Sequence, residues 1–516
     1  MTCLIAQEWP GITPARTIGF ITLCATRLRD AEHDEYHESL SCRGNNLRTL
    51  RRPLLPRIAA LMLAAAVLSV AAARPGISAE GKSGPNIVFI LADDLGYGDL
   101  HCYGRADVRT PAVDGLAAEG VRFTNAYANG PECTPTRAAL LTGRYQQRVG
   151  GLECAIGNGN VGRYDDAARL RQTHDLGLPV SETSIARMLK DAGYATGIAG
   201  KWHLGHEDKF APNLHGFDHA FYSLGGSMEY FFHLEPADAG YVDNVLRLDG
   251  KPIQRDGYFT DLVTDEAVRF IQGHAAGRFF LYVPYTAPHA PYQGPGDRLP
   301  QPLPLDSPLQ NQSKAPRETY VAMIERMDQG IGRILKTLAD LELAENTVVI
   351  FMSDNGGTKS GSNAPLTGYK GSTWEGGIRV PAIARWPGRI PKGLVSDQPC
   401  ITMDFSRSIV RLAGAKLPEG RQFDGIDILD RIESGKPVEP RALFWRKKRG
   451  DDNWWGVRDG SLKYIRHAQG KRIEEHLFDL AKDIGEQTDL LAKRPADVQR
   501  LKAMLAAWEE KVHPVR

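Results

Sequence analysis

The run Cys133-Thr134-Pro135-Thr136-Arg137-Ala138-Ala139-Leu140-Leu141-Thr142-Gly143 sets a cysteine where it could do chemistry. Proline suits the first turn of a helix and glycine its end, so the run reads as about two helical turns. Cys133 then lies among the unpaired N–H groups of a helix start, in the positive field of its dipole. Arg137 falls one turn later on the same face and adds a permanent charge. The spot suits an anion. A structural cysteine and a low-pKa thiolate nucleophile both fit it.

Two further motifs carry only oxygen donors. Asp93-Asp94 follows the apolar run Asn86–Ala92, and Ser353-Asp354-Asn355-Gly356 follows Thr347–Met352. Taken singly, an Asp pair caps a helix and Asp-Asn-Gly-Gly makes a turn. Together, at the ends of two strands expected to be central, Asp93, Asp94, Asp354 and Asn355 favour a hard cation, Ca²⁺ or Mg²⁺, over zinc. Lys201 and His203 in Gly200-Lys201-Trp202-His203, His289 after Thr286-Ala287-Pro288, and Lys370 in Gly368-Tyr369-Lys370-Gly371 add cationic and proton-transferring groups. The two-residue spacing of Lys201 and His203 points both the same way on an extended segment. Glycines around Lys370 and in Glu375-Gly376-Gly377 suit close approach of backbone to a ligand. The set describes a pocket for a tetrahedral oxyanion ester.

These residues are hundreds of positions apart, so the fold must gather them. From about residue 84 to 430, apolar runs alternate with helical stretches, the pattern of an α/β sheet sandwiched by helices. Asn86–Ala92, Val121–Tyr127, Gly193–Ile198, Phe279–Pro284 and Thr347–Met352 read as strands, each leading toward one of the motifs. Ligands of open α/β sheets bind at the carboxyl ends of strands, so the five segments are expected to converge. Over 437–516 the pattern changes to short antiparallel strands around an Asp459-Gly460 turn. A helix follows, with Leu501, Met504, Leu505 and Trp508 on one face.

A chain of 516 residues, 42% hydrophobic and 24% charged with formal charge +1, is long enough for a large core plus a small second domain. Its neutral balance gives no reason to expect nucleic acid. The basic segment Arg51–Arg57, the apolar run Ile58–Ala73 and the small residues up to Ala79 make a secretory signal over 51–79. The apolar run falls short of the ~20 residues of a membrane span. The expected product is an exported protein, periplasmic or extracellular, with no membrane span in the mature chain. Residues 1–50 read as a non-native or disordered extension. Cys102, Cys154 and Cys400 leave room for one disulfide, with no basis for choosing the pair.

From about Asn86 to the C-terminus the chain resembles a type I sulfatase, of the arylsulfatase group in the alkaline phosphatase superfamily. Cys133–Gly143 is similar to the first sulfatase signature and Gly193–His203 to the second. The carboxylate motifs, His289 and the Lys370 loop stand in the family's order. The resemblance implies an alkaline phosphatase-like fold: a large mixed, mostly parallel sheet flanked by helices (84–430), and a smaller C-terminal α+β subdomain (437–516). It implies that Cys133 is oxidised to formylglycine by a maturation enzyme, and that its hydrated form attacks sulfur. It implies Ca²⁺, with Mg²⁺ second, held by Asp93, Asp94, Asp354, Asn355 and the modified Cys133. Arg137 and Lys201 would orient the nucleophile and bind sulfate. His203 would be the base that releases sulfate, and Lys370 and His289 would act near the leaving oxygen. A sulfated carbohydrate is the expected substrate, with aryl sulfates as surrogates. Gly225–Tyr230, 158–175 and the proline-rich Pro291–Pro308 are expected to shape the pocket mouth.

Glu132 departs from the family pattern, which has a small or apolar residue before the cysteine. A solvent-facing side chain and weakened recognition by the maturation enzyme are both open. Two other functions compete. A phosphonate monoester or phosphodiester hydrolase shares the fold and C-x-P-x-R, but such relatives tend to lack counterparts of Asp94, Asn355, Lys201 and His203. A catalytically silent glycan-binding protein would leave Cys133 unmodified.

Overall fold

The computed structural model describes residues 84–157, 165–237, 240–243 and 245–513. The expected extension and export signal of 1–79, and part of the 158–175 stretch, lie outside the described residues.

The longest apolar runs form the sheet's centre. Thr347–Ser353, Asn86–Ala92, Phe279–Pro284, Ala195–Lys201 and His219–Ser223 lie side by side in that order, all parallel. The first three are buried along their whole length. Strands covered on both faces read as continuous apolar runs because neither face meets water. The sheet extends on both sides to ten strands, antiparallel through Ala382–Arg385 on one side and Leu246–Leu248 on the other, with a parallel edge strand Leu394–Ser396 beside Val121–Phe123. This is the mixed, centrally parallel sheet expected. On one face pack helices Phe259–Gly273 and Arg317–Asp340; on the other pack Cys133–Thr142, Ile185–Asp191 and Thr402–Leu412.

Two strands differ from expectation. Val121–Tyr127 is broken: Val121–Phe123 stays in the large sheet, while Ala126–Tyr127 pairs with Cys400–Ile401. The second signature's strand runs Ala195–Lys201, later than expected, because Gly193 at φ 86° still belongs to the preceding turn. That makes Lys201 the last strand residue.

The C-terminal strands Ala442–Arg449, Asp452–Asp459, Leu462–Gln469 and Arg472–Asp479 form an antiparallel meander. Helix Pro495–Lys511 buries Val498, Leu501, Leu505 and Trp508, while Met504 is half-buried. Their core also contains Tyr127, Tyr145, Ile378, Ile401 and Met403 from the large sheet's side. The four described cysteines are all free, so no disulfide links Cys102, Cys154 and Cys400. Among the described residues no helix is long and apolar enough to cross a membrane.

Candidate active site

Parallel pairing of Leu91 with Met352 and Ala92 with Ser353 delivers Asp93 and Asp354 to the same edge of the sheet. The ladder continues just beyond the strands: Asp354 N–H donates to Ala92 O (3.1 Å), and Asp93 N–H to Ala287 O (3.1 Å). Asp94 sits at φ 64°, which turns the chain sharply back into the site. Its N–H donates to Asp354 Oδ1 (3.2 Å), and Asn355 Nδ2 donates to Asp94 Oδ1 (2.7 Å). Asp93, Asp94, Asp354 and Asn355 are all at most 1% exposed.

The Cys133–Thr142 helix ends against this group. Cys133 opens it, and Gly143 in the left-handed conformation closes it, as its spacing predicts. Cys133 Sγ lies 3.3 Å from Asp93 Oδ1. Ligand atoms of Asp93, Asp94, Cys133 and His289 fall within 4.8 Å of one another. Burial and then the Asp93 charge push the Cys133 thiol well above its usual range, outweighing Lys201 and Lys370. The thiolate reading of the sequence therefore fails: the helix dipole is too weak against burial beside a carboxylate.

Three cations, two of them fully buried, balance three buried carboxylates. Arg137 holds Asp354 Oδ2 with Nε (3.1 Å) and Nη2 (2.8 Å), and donates to Lys201 O (3.0 Å). Lys201 Nζ pairs with Asp93 Oδ2, and Lys370 Nζ lies 2.8 Å from Asp94 Oδ2. Burial raises the Asp94 pKa, but Lys370 and His289 prevail and hold it at about 2. Burial and Asp93 push Asp354 up to about 6 despite Arg137. The crowding of carboxylates that raises Asp354 is what a bound cation would relieve.

The donor set fits such a cation. Asn355 Oδ1 is buried and has no hydrogen-bond partner among the described residues, although its amide nitrogen is satisfied. A buried amide oxygen left unpaired beside three carboxylates is costly unless a ligand takes it up. All four donors are oxygens, as Ca²⁺ or Mg²⁺ requires.

The two histidines carry defined tautomers. His203 Nε2 faces the carbonyl of Ile156, which only accepts, so Nε2 carries the proton. Its Nδ1 has no partner among the described residues and is a free acceptor. Burial, Lys201 and Arg137 hold His203 well below its usual pKa, hence neutral. His289 Nδ1 donates to Ala290 O (2.5 Å), which leaves Nε2 toward Asp94 Oδ2 (3.5 Å) and Gln312 Nε2 (3.4 Å). Burial and Lys370 lower its pKa to about 3 against the pull of Asp94.

A cavity of about 330 Å³ opens over these groups, lined in part by Cys133, His203, His289 and Lys370. Lys201 and Arg137 are fully buried behind it. The strand ends at Lys201 and His203 adopts φ 57°, so the two do not share one extended segment, although the Lys201 charge still acts on His203. Gly226 and Ser227 line the mouth as expected. The Pro291–Pro308 loop does not, though Gln312 just beyond it does. Gly376 and Gly377 serve backbone packing instead of a ligand: added Cβ atoms would meet Gly368 O at 2.4 Å and Ser372 O at 2.1 Å. They fix the loop that carries Lys370.

Glu132 is the residue the sequence misplaced. It is 5% exposed, not solvent-facing. Arg449 from the C-terminal meander reaches its Oε2 at 2.6 Å, Ala155 N–H donates to the same oxygen (2.6 Å), and Lys447 Nζ lies 3.7 Å from Oε1. Lys447 also donates to Gly371 O (2.8 Å), beside Lys370. The meander thus ties the start of the Cys133 helix to the Lys370 loop. Removing one partner of a buried ion pair costs about 3–5 kcal/mol, less where one side is partly wet. With Arg449 19% exposed, Glu132→Ala is expected to cost about 2 kcal/mol. An unchanged urea midpoint would remove this clamp from the account.

The Sulfatase family model matches residues 85–415. N-acetylgalactosamine-6-sulfatase of Canis lupus familiaris is 36% identical over 393 residues, 72% of this chain and 70% of that protein. Steryl-sulfatase of Mus musculus is 33% identical over 459 residues, covering 73% and 69%. The crystal structure of Ps i-CgsB in complex with k-i-k-neocarrahexaose is similar with a TM-score of 0.72 at 30% identity, over 84% of this chain and 94% of that one. The chain is thus a member of the sulfatase family, a type I sulfatase that hydrolyses sulfuric esters.

Proposed function

We propose that this sulfatase is exported and cleaves the sulfate ester of a carbohydrate, using formylglycine made from Cys133 and a bound Ca²⁺. The observation that carries the reading is the unpaired Asn355 Oδ1 among Asp93, Asp94 and Asp354, beside Cys133 Sγ. Those four oxygen-bearing side chains would hold the ion, which supplies Lewis-acid polarisation of a sulfate oxygen. Formylglycine supplies a hydrated aldehyde as nucleophile, provided by a maturation enzyme as partner.

The rest is work for this chain's own side chains. Arg137 and Lys201 fix Asp354 and Asp93 from behind. Lys370, on the cavity wall, offers its ammonium to the sulfate charge. His203, neutral with Nδ1 free, is placed to accept a proton when sulfate leaves. His289, with its proton on Nδ1, presents Nε2 as an acceptor near the leaving oxygen.

A sugar suits the cavity better than a sterol. Glu132, Ser227, Glu235, Gln312 and Arg449 line it with polar groups, where a sterol would need an apolar wall. Two relatives point the same way: one is named for N-acetylgalactosamine 6-sulfate, the other is bound to a carrahexaose.

Chelation should abolish turnover of 4-nitrophenyl sulfate, and Ca²⁺ should restore it better than Mg²⁺. Saturating Ca²⁺ should also stabilise the protein, by about 2.7 kcal/mol at 100 times its Kd. In Asn355→Ala, half-saturation should need at least about tenfold more Ca²⁺. Full activity after exhaustive chelation would reject the metal. N-terminal sequencing of protein from the native host tests export: a start near residue 80 is expected.

A further inference from the structure

Glu235 lines the same cavity but has no part in the reaction as described. It opens the short strand Glu235–Ala237 and is 3% exposed. One carboxylate oxygen, Oε1, faces His206 Nε2 at 3.3 Å. The other, Oε2, has no hydrogen-bond partner among the described residues. A carboxylate only accepts, and one kept beside a binding cavity with an unmet oxygen is a receptor for a donor.

Its position relative to the chemistry is fixed by two glycines. A Cβ on Gly225 would fall 2.0 Å from the Glu235 carboxylate, and one on Gly226 would fall 2.6 Å from the His203 ring. The Gly225-Gly226 backbone is therefore threaded between the two side chains, with room for neither Cβ. Only one dipeptide separates Glu235 from the candidate base. A group bound by Glu235 thus belongs to the sugar that carries the ester, not to a distant residue of the glycan.

Sign decides what that group is. Lys370 and Lys201 lie with the carboxylates beside Cys133, where the sulfate must sit, and Arg449, which also lines the cavity, is paired with Glu132. Glu235 faces the cavity with negative charge and would repel a second sulfate or a uronate carboxylate placed there. A neutral donor is what it accepts. We propose that Glu235 is a specificity-determining residue whose carboxylate accepts a hydrogen bond from a free hydroxyl of the sulfated sugar. This deepens the carbohydrate-sulfatase reading and rests on it.

An aryl sulfate offers no such hydroxyl, so the test is a ratio. kcat/KM is measured with mature, Ca²⁺-loaded enzyme on 4-nitrophenyl sulfate and on the 6-sulfates of galactose, N-acetylgalactosamine and N-acetylglucosamine. The best sugar of the three defines a sugar-to-aryl ratio for wild type. Glu235→Ala should lower that ratio at least about tenfold, the usual range for losing a hydrogen bond to a charged group. Glu235→Gln keeps an acceptor oxygen and should fall between. If the alanine variant does not fold, the glutamine variant carries the test alone.

An unchanged ratio in the variants would overturn the role of Glu235. So would a wild type that cleaves the aryl sulfate and none of the sugars. A wild type inactive on all four would instead sink the sulfatase mechanism itself, and this inference with it.

Discussion

Cys133→Ala should lower turnover of 4-nitrophenyl sulfate by at least about 10⁴-fold, the scale of losing a catalytic nucleophile. The helix that carries Cys133 is buried along its whole length and closed by Gly143, so losing one sulfur should leave it in place. The stability cost should stay near 1 kcal/mol, as for a small core truncation. Cys133→Ser separates the mechanisms further. A serine hydroxyl could attack sulfur, but the resulting ester lacks the second hydroxyl whose deprotonation expels sulfate. It should release the alcohol once per enzyme and stop. Steady sulfate release from the alanine variant would sink the mechanism. So would an unmodified thiol in the tryptic peptide Phe123–Arg137 from active native protein, and the silent glycan-binding reading would then advance.

The largest loss of stability is expected at Lys463, far from the sulfur chemistry in sequence but tied to its loop. Lys463 is fully buried, with Nζ 2.7 Å from Glu375 Oε1 and 2.8 Å from Glu486 Oε1. Glu375 also accepts from Tyr127 Oη (2.7 Å) and Arg379 Nη1 (3.0 Å), and its N–H donates to Glu486 Oε2 (2.7 Å). Lys463→Ala leaves two buried carboxylates facing each other. The expected cost is about 3–5 kcal/mol, the range for breaking a buried pair from one side. Because Glu375 leads directly into Gly376 and Gly377, activity should fall with the order of the Lys370 loop.

The pH dependence of this cluster has a definite sign. Burial raises Glu375, but Lys463 and Arg379 outweigh it and hold the pKa at about 2. Its contribution is present above the usual carboxylate range and is lost as pH falls toward 2. Glu486 is pushed up to about 7 by burial, with Lys463 opposing and Glu375 adding to the rise. Its contribution is complete below about 4.5, the ordinary glutamate range, and is lost as pH rises through about 7. Stability from the cluster should therefore peak between those limits, with a loss of the order of 3 kcal/mol by pH 8. Glu486→Gln should flatten that alkaline limb in urea titrations at pH 5 and pH 8. An unaltered slope would remove Glu486 as its source.

Much of the site was legible because its parts are local. Asn86–Ala92 and Thr347–Met352 are apolar after their first residue, so they had to be covered on both faces, and the acidic residues after them had to emerge at a sheet edge. Proline, arginine and glycine around Cys133 specify a short helix by spacing alone. Glu132 was not legible, since its partners Arg449 and Lys447 lie more than 300 positions away. Glu235 stands in no motif. Nothing local marks a carboxylate as unpaired.

By itself, then, the sequence determined the element types, the donor chemistry and the family, because periodicity, capping and residue type act over a few positions. Only the tertiary structure decided which charges neutralise one another and which polar atoms are left over. Arg137 and Lys201 became supports behind the site, Lys370 and the histidines its walls, and burial beside Asp93 pushes the Cys133 thiol up despite its helix. Coulomb and desolvation energies depend on distance and burial in space, and chain separation reports neither.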